Sequence, residues 1–276
     1  MVDENIFPVL TDMELRLPLY LTSAGGWRNQ DKIQRADGFP SYQWLLCLSG
    51  QGRLELGGVT AEVSEGQGMI LLPRLPHSYY AVQEPWTVRW VTFHGWVVPE
   101  LLERFQLNDS GVYSVANAEE LLSTMQEAAR VLKGDDPFRG YEGSSLLYRM
   151  LLDLAKNASL KSGSSRKQHL QNLTPMLRLI EQKYAEDLTL DELAGSIRVT
   201  PQYACSLFRR SFGMRPFEYI TRYRLRKAKE LLLEDVTLPV IEVGRLVGYA
   251  HSSYFIKLFK EHEGMTPSQF RRLYAG

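Results

Sequence analysis

What this sequence has little of narrows its function first. Two cysteines, Cys47 and Cys205, cannot build a disulfide framework, and such scarcity fits a reducing compartment. No run approaches the roughly 20 apolar residues that a bilayer span needs. The acidic opening Met1-Val2-Asp3-Glu4 leads into no apolar stretch long enough for a signal peptide. The expectation is a cytoplasmic protein with no membrane partner. The five histidines, His77, His94, His169, His251 and His262, form no H-x-H pair, so neither a metal site nor any other cofactor is expected. G-x-S-x-G, P-loop and H-E-x-x-H runs are missing as well, which counts against catalysis.

Net charge is also lacking, since 32 Lys and Arg balance 32 Asp and Glu. That balance averages two unlike halves. Residues 1–165 hold 14 basic against 20 acidic side chains, a net of −6, whereas residues 166–276 hold 18 against 12, a net of +6. The basic excess gathers at Arg209, Arg210 and Arg215 and again from Arg222 to Lys229, where it is read either as a phosphate-facing surface or as a solvated helix face.

The basic half carries one motif twice. Leu190, Leu193, Ala194, Ile197, Tyr203, Leu207, Phe208, Gly213, Pro216 and Tyr219 return as Val240, Val243, Gly244, Val247, Tyr254, Leu258, Phe259, Gly264, Pro267 and Phe270. The offset is 50 up to Ile197 and Val247 and 51 from Tyr203 and Tyr254 onward, so one residue was gained between two helices. Each copy reads as helix-turn-helix, over about 189–212 and 239–263. Thr189 and Thr200 are candidate N-caps, Pro201 sits at a first helical position, and Tyr203, Leu207 and Phe208 are assigned to the buried face. Ala194 and Gly244 are small where two helices cross. The second helix of such a unit enters the major groove of double-stranded DNA. Its exposed residues here are Gln202, Cys205, Ser206, Arg209 and Arg210 in the first copy, and His251, Ser252, Ser253, Ile256, Lys257 and Lys260 in the second.

Gly248-Tyr249, Tyr254-Phe255-Ile256-Lys257-Leu258-Phe259-Lys260 and Gly264-Met265-Thr266-Pro267-Ser268 closely resemble the signature of AraC/XylS-type bacterial transcription regulators. Pro216, Tyr219, Ile220, Arg224, Ala228, Leu231 and Leu232 resemble that family's long linker helix. The resemblance spans Leu173 to Tyr274. It implies an all-α double helix-turn-helix module whose base-facing positions are Gln202, Cys205, Ser206, Ser252, Ser253, Ile256 and Lys257, with Arg224 tying helices together. Gly244 departs from the alanine more usual there, and glycine weakens a helix by about 1 kcal/mol.

The acidic half has a strand grammar. Tyr42–Leu48, Arg53–Leu56, Val59–Val63, Met69–Leu72 and Trp86–Phe93 are short apolar or alternating runs parted by Gly and Pro turns, as in a small β-barrel or jelly roll. Residues 97–107, 118–132 and 140–157 have helical spacing, which core packing within one subunit explains and which the family resemblance implies also for packing on the barrel and dimer contacts. The whole is expected to be an α+β two-domain chain, with a sensing and dimerising domain at 1–157, a flexible linker at 158–171 and the DNA-binding domain at 172–276.

The order of strands and turns over about residues 16–95 resembles the cupin-like sensor domain found with this DNA-binding module. In arabinose-sensing relatives the positions matching Arg35, Tyr79 and Trp90 contact the sugar. A further contact position there is polar and falls on Val88 here, which argues against arabinose itself. His77 either orders the turn or lines the pocket, and Trp44 and Trp86 suit core or rim. The resemblance thus implies a homodimeric activator of a carbohydrate-utilisation operon that engages DNA, RNA polymerase and a mono- or oligosaccharide effector. A non-sugar effector and a catalytic cupin are the alternatives.

Overall fold

Alternation along two long strands organises the N-terminal unit. In a computed structural model, residues 3–160 and 166–274 are described, and the chain divides into two compact units, Met1–Lys167 and Gln168–Gly276. The first unit contains strands β1 (Glu4–Ile6), β2 (Tyr20–Trp27), β3 (Ile33–Arg35), β4 (Tyr42–Leu56), β5 (Val59–Ser64), β6 (Gln67–Leu71), β7 (His77–His94), β8 (Gly111–Val115) and β9 (Ala158–Leu160). Helix α1 (Asp12–Leu15) follows β1, α2 (Val98–Phe105) follows β7, and α3 (Ala118–Lys133) and α4 (Arg139–Asn157) separate β8 from β9.

The strands join antiparallel in the order β1-β2-β7-β4-β6-β8-β9, with β3 on β7 and β5 on β4. β4 and β7 pair from Tyr42 opposite Phe93 to Leu56 opposite His77, with register shifts between Cys47 and Gly52. Such irregularities bend and twist a strand pair, and here they let one ribbon carry different neighbours at its two ends.

Because strand side chains alternate in direction, the sheet has two buried faces. Leu45, Cys47, Val88 and Trp90 join the interior cluster with Tyr79, Trp86 and Val112. Trp44, Leu46, Val91 and Phe93 point the other way, toward Leu121, Met125, Leu147 and Leu151 of α3 and α4. The expected helices therefore form and do pack on the sheet. The expected tether at 158–171 does not hold as such. Ala158–Leu160 pairs with β8, and α5 (Arg166–Lys183) covers the end of the stretch; the linker's residues 161–165 lie outside the described residues.

In the second unit α5 precedes α6 (Leu190–Ser196), α7 (Pro201–Phe212), α8 (Pro216–Glu234), α9 (Val240–Leu246), α10 (Ser252–Glu263) and α11 (Pro267–Tyr274). Thr189 caps α6 in a reciprocal capping box with Glu192, and Thr200 accepts from Tyr203 N to cap α7. Two cores result. Leu173, Met176, Ile180, Leu193, Leu207 and Phe208 form one, and Val243, Val247, Tyr249, Phe255 and Phe259 the other. α8 serves both, giving Ile220 to the first and Leu225, Ala228 and Leu232 to the second. Arg224, also on α8, donates to the carbonyls of Tyr184, Glu186 and Gly248 at 2.5, 2.8 and 3.0 Å, so it ties three segments together rather than facing solvent.

The repeat is structural as well as sequential. Ala194 O accepts from Val199 N at 3.2 Å in the first turn, and Gly244 O accepts from Tyr249 N at 2.9 Å in the second. From there the first chain enters its N-cap Thr200 at once, whereas the second inserts Ala250 before His251. Ala250 is thus the residue that changes the offset. One expectation is overturned: Tyr203 and Tyr254 are 51% and 57% exposed, and Ala204 and Phe255 occupy the buried positions beside them. A helix turn presents one residue in three or four to a core, and in both copies the face falls one residue later than the aromatics suggest.

Candidate nucleic-acid interface and effector pocket

α7 exposes Gln202, Ser206, Arg209 and Arg210, with Cys205 half-buried. An open groove of about 920 Å³ runs beside it, bringing Cys205, Ser206, Arg209 and Arg210 together with Arg215. Gln202 lies on the first turn, outside this groove. On α10, Ser253, Lys257 and Lys260 are exposed, as is the N-cap His251, and Ser252 is half-buried. Ile256, expected to face bases, is half-buried and packs against the second core. It has less surface to offer than its neighbours.

The ion pairs divide the basic side chains into two classes. Arg222 pairs with Glu218, Arg226 and Lys227 with Glu230, and Lys229 with Glu263. With Arg224 bound to carbonyls, the run from Arg222 to Lys229 is engaged within the protein. Arg209, Arg210, Arg215 and Lys260 have no acidic partner within 4 Å among the described residues, and Lys257 has only an exposed contact with Glu261 at 3.8 Å. Arg215 was visible in sequence as a basic residue before Pro216, but only the groove places it beside Arg209 and Arg210.

In the first unit the structure brings Arg35, His77 and Tyr79 together. β3 lies on β7 with Arg35 opposite His77 and Ile33 opposite Tyr79, and directly opposed antiparallel residues share a face. The rings of His77 and Tyr79 stack with centroids 6.0 Å apart. Arg35 donates from Nη1 to Gln43 Oε1 at 3.2 Å and lies 4.0 Å over the Phe39 ring. Arg35 and His77 also line an open cleft of about 430 Å³, together with Gly57 and Gly58. Burial pulls the His77 imidazole below its ordinary pKa, the Leu75 carbonyl opposes this, and nearby Arg35 adds to the lowering. Burial likewise raises the Tyr79 phenol.

The other candidates separate. Trp90 belongs to the same interior cluster but sits opposite Leu45 and Gly25, with Phe7 6.3 Å away. Val88 is fully buried in that cluster and forms wall rather than contact surface. Trp44, 1% exposed, is a correction: it faces α3 and α4, on the opposite side of the sheet from Tyr79, because position 44 alternates with the inward-facing 43 and 45. Trp86 is core, its Nε1 donating to Cys47 Sγ at 3.3 Å. Gln43 went unnoticed in sequence. Its only signal was a polar residue at an inward position of an apolar strand.

Comparison with known proteins matches residues 24–151 to the AraC-like ligand binding domain family and residues 193–273 to a helix-turn-helix domain family. The Msm operon regulatory protein of Streptococcus mutans is 26% identical over 241 residues, covering 84% of each chain. The lactose operon transcription activator of Staphylococcus xylosus is 23% identical over 233 residues, covering 82% of each. Among solved structures, the C-terminal domain of the response regulator yesN from Fusobacterium nucleatum is 30% identical, covering 39% of this chain and 99% of that one, with a TM-score of 0.34. With a strand-rich N-terminal unit and a doubled helix-turn-helix behind it, the chain belongs to the AraC/XylS family of DNA-binding transcriptional regulators.

Proposed function

We propose that this protein is a cytoplasmic, sugar-responsive activator of a carbohydrate-utilisation operon. One observation carries the DNA side of the reading: two helix-turn-helix units share α8 as a common brace, and each presents an exposed, partly basic face. In this reading Gln202, Cys205, Ser206, Ser253 and Lys257 meet base edges, and Arg209, Arg210, Arg215 and Lys260 meet phosphates. His251 and Ser252 start α10 at the groove edge. Activation brings in RNA polymerase as a partner. A homodimer is supported by Phe138, Tyr141 and Tyr148, exposed aromatics at and along α4.

The sugar assignment draws on Arg35, His77, Tyr79 and Trp90. Aromatic faces suit sugar C–H surfaces, and a guanidinium bridges adjacent hydroxyls. Relatives named for sugar operons include the lactose activator above and the melibiose operon regulatory protein of Escherichia coli. The test is titration of the full chain with mono- and disaccharides, followed by tryptophan fluorescence and by binding to its own promoter. The expected result is a saturable quench that Arg35→Ala abolishes. A response to no sugar, with promoter binding intact, would leave a regulator with another effector.

A further inference from the structure

The two helix-turn-helix turns differ in a way that packing does not explain. In the repeat Arg198 corresponds to Gly248 and Val199 to Tyr249. The second turn is closed by its surroundings. Gly248 lies against Ala185, where an added Cβ would come within 2.6 Å of the carbonyl oxygen, and its own carbonyl accepts from Arg224. Tyr249 is buried there, with the Tyr254 ring 6.0 Å away. The first turn stays open. Arg198, Tyr203, Leu207 and Pro175 of α5 line a cleft of about 500 Å³.

Arg198 holds φ 56°, a backbone region that glycine enters freely and other L residues enter with strain. Its amide donates to Gly195 O at 3.0 Å, a bond that glycine would keep. Its side chain is exposed and makes no ion pair or hydrogen bond among the described residues. Nothing in the turn requires the guanidinium. A strained residue that its own fold does not use points to a role outside the fold.

The place of the cleft gives that role. Successive helix residues are about 100° apart around the axis. With Gln202 toward the bases, Tyr203 stands about 100° to one side and Cys205 about 60° to the other. The two open clefts fall on these two flanks. One takes in Cys205, Arg209 and Arg215, the other Tyr203 and Arg198. A helix in the major groove, about 12 Å wide, has a sugar-phosphate backbone on each side. On the Tyr203 flank, Arg198 is the one charged side chain lining the cleft among the described residues. The half-exposed Tyr203 ring presents an apolar face in the same cleft, which suits a deoxyribose next to its phosphate. A small free acid would also meet a guanidinium. Arg198 and Tyr203, however, bracket Thr200, Pro201 and Gln202, the end of α7 that enters the groove, where the duplex itself supplies the anion.

We infer that Arg198 is a phosphate-contact residue that holds the backbone strand on the Tyr203 side of α7. The first unit then engages both strands across one major groove, and the second, with Gly248 at the same place, lacks this contact. This rests on α7 being the DNA-reading helix and adds a second strand to its contacts.

The experiment measures binding of the full chain to a fragment of its own promoter by fluorescence anisotropy over a salt series. Melting temperatures are read on the same samples. Arg198→Gly relieves the positive φ and should fold at least as well, yet weaken binding about tenfold. The slope of log affinity against log salt concentration should flatten by about one. Arg198→Asn, another residue that tolerates positive φ, should do the same, and Arg198→Lys should keep the slope. Arg209→Ala separates the two readings. If it flattens the slope while Arg198→Gly and Arg198→Asn bind like the unsubstituted chain, the inference falls and α7 remains the reading helix. Affinity lost by the Arg198 variants at an unchanged slope also overturns it, since no phosphate charge is then involved. If Arg198→Gly, Arg198→Asn and Arg209→Ala all leave affinity and slope unaltered, both readings fall.

Discussion

Gly244 shows how the size of one side chain can be set by another across a helix crossing. In the second unit an added Cβ would come within 2.9 Å of Phe255 Cδ1, closer than such contacts go. The equivalent pair in the first unit is Ala194 with Ala204, both buried. The two copies thus solve one crossing differently: two methyl groups in one, a benzyl group against bare backbone in the other. From sequence alone Gly244 looked like a departure that costs helix stability. Gly244→Ala gains about 1 kcal/mol of helix propensity, but overpacking a closed core typically costs about 1–3 kcal/mol. The expected outcome is net destabilisation of α9, read as faster hydrogen exchange of its amides. Adding Phe255→Leu should shrink or reverse the penalty. Slower exchange in Gly244→Ala alone would show that Phe255 does not set the residue size. The small residue was legible in the repeat; its reason was not, because the partner at position 255 sits where the pattern pointed to Tyr254.

At the scale of elements, legibility follows how local the determinants are. The helices expected at 118–132 and 140–157 appear at Ala118–Lys133 and Arg139–Asn157, since a 3.6-residue apolar period is written in contiguous residues. β9 was missed because Ala158-Ser159-Leu160 has no strand pattern of its own and is defined by its pairing with β8. The two helix-turn-helix turns give a sharper case. Both need a residue with positive φ after the first helix: Gly248 at φ 90° in the second copy and Arg198 at φ 56° in the first. The glycine advertised its turn, whereas the arginine concealed an identical requirement. A left-handed non-glycine residue costs about 1–2 kcal/mol, and glycine returns roughly 0.5–1 kcal/mol of that as unfolded-state entropy. Arg198→Gly should therefore raise the melting temperature of the second unit slightly, corresponding to at most about 1 kcal/mol. Gly248→Ala should lower it, because its Cβ would also meet Ala185 O at 2.6 Å. Opposite signs are the expectation; a loss in both would mean the Arg198 side chain holds the turn by contacts that outweigh its strain.

For the whole molecule, the sequence counts charge but cannot see where charge is spent. A net of zero argued against DNA, the basic half argued for it, and the run from Arg222 to Lys229 looked as suitable as Arg209, Arg210 and Arg215. Folding separates them. Arg222 and Lys227 are held by Glu218 and Glu230 at 2.9 and 2.6 Å, while the three arginines of the α7 groove keep their charge unpaired among the described residues. Counterions are released only by cations that reach phosphates, and each such contact contributes about 0.9 to the slope of log affinity against log salt concentration. Arg209→Ala, Arg210→Ala and Arg215→Ala should each weaken promoter binding and flatten that slope by about one. Arg222→Ala and Lys227→Ala remove solvent-exposed ion pairs that contribute little to stability and should leave the slope unchanged. Measured by fluorescence anisotropy over a salt series, a slope carried by Arg222 and Lys227 would move the DNA-facing surface onto α8. A slope lost with the α7 arginines places the phosphates along the groove where Cys205 and Ser206 already stand beside them.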